Sequence, residues 1–158
     1  MFGKAMFETT YTVDLLRTAG EDCRRILGET IPSDHDKLSM TIYQPRGVAV
    51  AISPWNFPLL LSINKVAYAL AAGNTVVLKP SSETPVIGLK IAELFASVDL
   101  PPGVLNVVTG PGGVVGEALV QDDRASLVTF TGETVTGRRI AELAGTKLKK
   151  YTLEMGGK

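Results

Sequence analysis

The sequence is short of the residue types that most enzymes rely on. Its 158 residues hold one cysteine, one histidine and one tryptophan. A lone Cys23 cannot close an internal disulfide, and a reducing, cytoplasmic setting is the default for such a chain. With no histidine near it in sequence, Cys23 reads as a partly buried structural thiol rather than a nucleophile. His35 lies in the polar stretch Pro32 to Lys37 without ligand-spaced partners, so neither a metal site nor a Ser-His-Asp triad has its parts. Charge of one sign is also missing. Sixteen basic residues balance sixteen acidic ones, interspersed, which argues against nucleic-acid binding and a polybasic membrane patch. The longest apolar segment, Leu59 to Ala72, is interrupted by Ser62, Asn64 and Lys65 and is too short to span a bilayer. Met1 to Met6 lacks the pattern of a signal peptide. Low-complexity tracts and solenoid repeats are absent.

What remains is ordinary globular composition, 45% hydrophobic and 20% charged. A chain of this length buries roughly 70% of its unfolded surface, enough for one real core. Thr9 to Leu27 reads as an amphipathic helix, with Val13, Leu16, Cys23 and Leu27 near one face and Gly28 as its stop. Leu38 to Gln44 is a short strand candidate. From Gly47 a pattern repeats. Val48 to Ile52, Thr75 to Leu78, Val104 to Val108 and Leu127 to Phe130 are buried strand candidates, and Tyr151 to Leu153 begins a fifth. Between them lie helix candidates opened by Pro58, Pro85, Gly113 and Thr134, the first stopped at Gly73. This alternation predicts an α/β fold: an open, mostly parallel, Rossmann-like sheet with helices on both faces, preceded by the N-terminal amphipathic helix. Ligands of such sheets sit beyond the carboxyl ends of the strands.

The unusual residues lie in those turns. Ser53-Pro54-Trp55-Asn56-Phe57-Pro58 holds an Asn between two prolines. Its amide can stabilise an oxyanion, or simply cap the helix that Pro58 opens. Lys79, before Pro80-Ser81-Ser82-Glu83-Thr84-Pro85, suits ribose hydroxyls or a phosphate, or is a solvated surface lysine. Gly110-Pro111-Gly112-Gly113-Val114-Val115-Gly116 departs by one residue from the G-x-G-x-x-G dinucleotide pattern. Phe130-Thr131-Gly132-Glu133-Thr134-Val135-Thr136-Gly137 presents a helix N-terminus suited to a pyrophosphate, and Arg138-Arg139 rule out a P-loop. Glu154, ahead of Gly156 and Gly157, is either a general base with room to move or a charged strand end.

Taken in order, PWNFP, LKPS-x-x-TP, LPPGVLNVVTG, FTG-x-x-x-x-G and LEMGGK resemble the aldehyde dehydrogenase superfamily from about Thr9 to Lys158. The resemblance implies NAD(P)-dependent oxidation of an aldehyde to a carboxylic acid. It divides the chain into residues 1–46, part of the family's N-terminal region, and residues 47–158, a Rossmann-like NAD(P)-binding domain. Asn56 is implied as the oxyanion-stabilising amide and Glu154 as the base that activates water. Lys79 is implied at the adenosine ribose, and Ile52, Ser53, Pro54 and Trp55 beside the cofactor. Gly112, Gly116, Phe130, Gly132 and Gly156 match further cofactor-contacting positions. Full-length members imply a small-molecule aldehyde substrate and homo-oligomers.

Three departures stand out. The family's nucleophilic Cys lies well past the Glu, whereas this sequence stops at Lys158, four residues after Glu154. The chain therefore reads as truncated before its catalytic domain, with exposed apolar patches expected. Ser82 stands where a ribose-binding Glu is common, which makes NADP acceptable or preferred over NAD unless Glu83 takes that place. Glu133 replaces the usual Ser beside the pyrophosphate and must point to solvent. The wording of the motifs resembles branches acting on lactaldehyde, glyceraldehyde or succinate semialdehyde. Alternatives are a non-catalytic NAD(P)-binding module and a protein that docks onto full-length subunits. A hydroxy-acid dehydrogenase is disfavoured by the missing G-x-G-x-x-G and catalytic His. The purified 158-residue chain, mixed with aldehyde and NAD+ or NADP+, is expected to produce no reduced cofactor at 340 nm. Turnover that survives Cys23→Ala would contradict this.

Overall fold

The computed structural model describes residues 2–157. Helix α1 (Phe2–Asp22) leads to an antiparallel hairpin, β1 (Glu29–Ile31) and β2 (Ser39–Thr41). Then come β3 (Val48–Ile52), α2 (Pro58–Ala71), β4 (Thr75–Lys79), α3 (Pro85–Ala96) and β5 (Leu105–Val107). A π-helical turn (Gly112–Gly116) runs into α4 (Glu117–Gln121), followed by β6 (Ala125–Gly132), α5 (Thr134–Thr146) and β7 (Lys150–Met155). The last five strands form one sheet in the order β5-β4-β3-β6-β7, every neighbour parallel. This is the α/β, Rossmann-like architecture that the alternation of elements predicts.

The period of two in the strands sorts side chains into two cores. Ala49 and Ala51 of β3 and Val76 and Leu78 of β4 face Ile63, Val66 and Ala67 of α2, Ile91 of α3 and Ala19 of α1. On the other face, Val50 and Ile52 of β3 and Val128 and Phe130 of β6 meet Val120 of α4 and Ile140, Leu143 and Ala144 of α5. Helices thus cover both faces, with α1 outside α2.

The N-terminal region differs most from expectation. α1 begins well before Thr9 and ends at Asp22, not at Gly28. It buries Glu8, Thr12 and Ala19, while Val13 and Leu16 are 40% and 37% exposed. Apolar spacing pointed to the wrong face because the buried stripe is largely polar: Glu8 meets the head of α2, and only Ala19, with Leu15 beside it, joins the apolar core. Cys23 is exposed rather than partly buried, with Sγ 2.9 Å from the Gly20 carbonyl oxygen. Gly28 belongs to the hairpin: a Cβ there would stand 2.0 Å from the Thr41 carbonyl oxygen. The strand expected over Leu38 to Gln44 shrinks to Ser39–Thr41, and its partner Glu29–Ile31, wholly exposed, carries no apolar alternation to reveal it. Phe2, Met6, Phe7 and Tyr11 leave an apolar face of α1 uncovered.

β6 and β7 are each longer than expected, reaching Gly132 and Met155. Glu154 therefore lies inside a strand, paired in register with Thr131, because backbone pairing continues past the last apolar residue. Leu78, fully buried at 0% exposure, is a sensitive probe of the α2-side core. Leu78→Ala is expected to cost about 2–5 kcal/mol in urea unfolding, with an unchanged m-value.

Candidate functional site

The strand order reverses at β3. The chain moves from β3 to β4 to β5 on one side, then returns to β6 and β7 on the other. A doubly wound sheet opens its binding crevice at such a switch point, beyond the carboxyl ends of the strands. Pairing places Ile52 opposite both Lys79 and Phe130, and Phe130 opposite Leu153. The turns that follow all leave from this one edge.

Two cavities lie there, on either side of the first turn of α5. The first, of about 330 Å³, is lined by Ile52, Gly112, Gly113, Gly116, Val135, Thr136 and Ile140, with Glu117 and Arg139 among its walls. Its glycines keep it open: nothing lies within 4 Å of a Cβ built at Gly112 or Gly113, and one at Gly116 would touch Lys79 and Ile52. Arg139 Nε and Nη2 donate to the two oxygens of Glu117, each at 3.1 Å, and bind α5 to α4. That fork holds the Glu117 carboxyl below its usual range. α5 has no side-chain cap, so amides of its first turn are available to an anion.

Lys79 is not the solvated surface residue that its sequence context permits. It is 3% exposed, and its ammonium donates to the Pro80 carbonyl at 3.0 Å. Burial pushes its pKa below the ordinary lysine value. Ser82 lines neither cavity and instead donates to the Gly110 carbonyl at 3.0 Å, tying the turns after β4 and β5 together. Phe130 is buried, and its ring underlies Gly132, where a Cβ would fall 2.6 Å from the ring carbon Cζ. Ser53 is likewise buried and shares a 2.7 Å hydrogen bond with Ser62 of α2.

The second cavity, of about 510 Å³, gathers Pro54, Trp55 and Asn56 from the turn after β3, Thr131 and Gly132 from the end of β6 with Glu133 just past it, and Glu154 and Met155 from the end of β7 with Gly156 just past it. Segments a hundred residues apart in sequence thus face one groove. Asn56 does not cap α2: the N-cap position belongs to Phe57 and makes no side-chain bond to the helix. Glu133 is exposed at the N-cap of α5 without a side-chain cap bond, on the wall of this groove.

Thr131 lines this groove and Lys65 lies behind it, neither having been singled out in the sequence. Lys65 Nζ donates to Thr131 Oγ1 at 2.5 Å, and Thr131 Oγ1 donates to Glu154 Oε2 at 2.8 Å. The ammonium lies 4.0 Å from that carboxylate, with its side chain 3% exposed. Burial lowers the Lys65 pKa, and the charge of Glu154 opposes that shift. The relay ties a buried cation through a hydroxyl to a carboxylate that reaches the groove. One signal was present: Ser62 and Lys65, three apart within an apolar helix, share a buried face, and buried polar groups require partners.

Known proteins resemble this chain in sequence and in fold. The model of the aldehyde dehydrogenase family matches residues 1–158. This chain belongs to the aldehyde dehydrogenase family. It is 48% identical over 157 residues to the alpha-ketoglutaric semialdehyde dehydrogenase of Bacillus subtilis, covering 98% of this chain and 32% of that protein. Among solved structures, it is similar to PnpE in complex with nicotinamide adenine dinucleotide, with a TM-score of 0.93, 44% identity and coverage of 96% and 31% of the two chains. An Escherichia coli NADP-dependent enzyme superposes with a TM-score of 0.96 at 43% identity, over 98% of this chain and 32% of that one. The chain spans about a third of the length of the curated relatives it matches. Among the described residues of this family member, no helix is long and apolar enough to cross a membrane, and no cluster of His, Cys, Asp and Glu could hold a metal.

The charge on Lys65 has a measurable sign. A lysine whose folded pKa is lowered costs stability while both states are protonated. That cost fades as pH rises through the folded value and is gone above the ordinary lysine value of 10.5. The wild type is therefore expected to gain stability relative to Lys65→Met between neutral pH and 10.5 in urea titrations. A difference that stays flat over this range would contradict a desolvated ammonium.

Proposed function

We propose that this chain supplies the cofactor cradle and two polar catalytic groups for an aldehyde oxidation that uses NAD+ or NADP+. The observation that carries the reading is the convergence of Asn56 and Glu154 on one groove, beside a second, glycine-lined cavity. That cavity suits a dinucleotide: Ile52, Val135 and Ile140 offer apolar walls to an adenine, and the uncapped first turn of α5 offers amides to a pyrophosphate. Lys79, with Ile52, Ser53, Pro54 and Trp55 and the glycines 112, 116, 132 and 156, forms the cradle, residues 47–158 being its structural unit. Phe130 acts from below by fixing Gly132. A nicotinamide cofactor held by these residues would supply the hydride acceptor for the oxidation.

The chain's own groups act on oxygen and on protons. The Asn56 amide donates to the aldehyde oxygen as negative charge grows there. Glu154 takes a proton from the water that releases the acid, and the Thr131 hydroxyl, which donates to it, holds the carboxylate in place. Cys23 is exposed and lines neither cavity, so the nucleophile the chemistry requires is not assigned to it. Relatives named for alpha-ketoglutaric, succinate and glutarate semialdehydes and for D-glyceraldehyde support the small aldehydes favoured by the motifs, beside others named for phenylacetaldehyde and retinaldehyde. A cytoplasmic, homo-oligomeric full-length enzyme completes the proposal.

Ser82 supports NADP+. Its hydroxyl brings no charge to the ribose side of the cradle, and it is engaged with Gly110, whereas a carboxylate there would repel a 2′-phosphate. In calorimetric titration NADP+ is expected to bind at least as tightly as NAD+. Ser82→Glu is expected to weaken NADP+ by about tenfold, roughly 1.4 kcal/mol, and to spare NAD+. Lys79→Ala should weaken both. If neither dinucleotide binds the wild-type chain, the reading fails.

A further inference from the structure

α2 begins without a cap of its own. Phe57 makes no side-chain bond to the first turn, and Pro58 has no N–H to offer. The next two amides, Leu59 N–H and Leu60 N–H, both donate to Glu8 Oε1, at 2.7 and 3.0 Å. Glu8 belongs to α1, 51 residues earlier than Leu59, and is 8% exposed. Both hydrogen bonds of its carboxylate go to α2, whose positive helix end offsets the burial of the charge. Lys4 of the same helix lies 4.5 Å from the centroid of the Phe57 ring. α1 therefore grips the turn that carries Asn56 at two successive points, Phe57 and the Leu59-Leu60 amides.

The prolines on either side and the Ser53–Ser62 bond restrain the start of this turn, and the grip fastens its far end. Among the described residues no hydrogen bond holds its side chain, and it is exposed. Its direction is inherited from its backbone, which runs directly into the α2 turn that Glu8 fastens.

We propose that Glu8 is a positioning residue: by fixing the first turn of α2 it sets the direction in which the Asn56 amide enters the groove shared with Glu154. This rests on the reading of Asn56 as the oxyanion donor. Because Glu8 also occupies the positive end of α2, that helix end is not free to hold an anion, and the donor role falls to the Asn56 side chain.

The test is 15N NMR and amide exchange on the 158-residue chain as wild type, Glu8→Gln and Glu8→Ala, with the Asn56 side-chain signals assigned through Asn56→Asp. In the wild type, Leu59 and Leu60 are expected to exchange at least about tenfold more slowly than Val86 and Ile87, which open α3 without a side-chain cap. Glu8→Ala should abolish that protection and shift or split the Asn56 signals, with Val76 and Leu78 in β4 unchanged. Glu8→Gln keeps an acceptor oxygen and should restore the Asn56 signals and most of the protection. Unmoved Asn56 signals in a folded Glu8→Ala chain would overturn the proposal, as would protection lost evenly through β4. If the Ala variant does not fold, the wild type and Glu8→Gln decide: unprotected Leu59 and Leu60, or Asn56 signals displaced despite the retained acceptor, would refute it. No dinucleotide is present, so failed cofactor binding leaves this result standing, and failure here leaves cofactor binding standing.

Discussion

β3 has a strand on each edge and a core on each face, and this double confinement governs the molecule. Its backbone groups must all be spent on β4 and β6, which fixes both neighbours in register. A slip of one residue would exchange its two alanines with its two valines and isoleucine, placing bulky side chains under α2 and small ones under α5. The same register brings Ile52, Lys79, Phe130 and Leu153 into one row. The turns that follow have no choice but to open at a common edge. Both cavities are consequences of that alignment.

Among the described residues three charged side chains are nonetheless buried around the sheet, and each is reconciled with its surroundings differently. Lys79 folds back to a carbonyl one residue away, with its chain behind Gly116. Lys65 reaches a hydroxyl and stays near a carboxylate across the sheet. Glu8 finds neither a cation nor a hydroxyl, but the unspent amides of a helix. Charge is costly in a low-dielectric interior, so such groups persist only where a partner is built in. Two of these partnerships converge on the Asn56–Glu154 groove: the relay steadies the carboxylate, and α1 fastens the turn beside the amide.

The parts of the fold that were legible are those where burial imposes a period. The runs at Val48, Thr75 and Leu127 announced themselves as buried strands, and the prolines at 58 and 85 marked the helix starts they occupy. Where burial does not impose a period, the pattern was silent or misleading. The hairpin strands are nearly all exposed, and α1 hides a polar stripe while showing Phe2, Phe7 and Tyr11 to solvent. Glu154 looked like a residue beyond a strand because hydrophobicity ends at Leu153, yet the ladder runs on to Met155. Lys79 allowed two readings, and only its 3% exposure chose between them.

The order of the turn motifs along the chain, and with it the family, is a property of the sequence alone. Local chemistry suffices there, since prolines, glycines and strand-end polar residues sit at fixed spacings. Which of those turns meet was decided by the tertiary structure. Asn56 and Glu154 share a groove because β3, β6 and β7 lie side by side, although a hundred residues separate them. Thr131 bridges Lys65 to Glu154, and Glu8 reaches the head of α2, through hydrogen bonds that span 23 to 66 positions. Hydrogen bonds act over a few ångströms whatever the distance along the chain, so no spacing rule could have disclosed these partners.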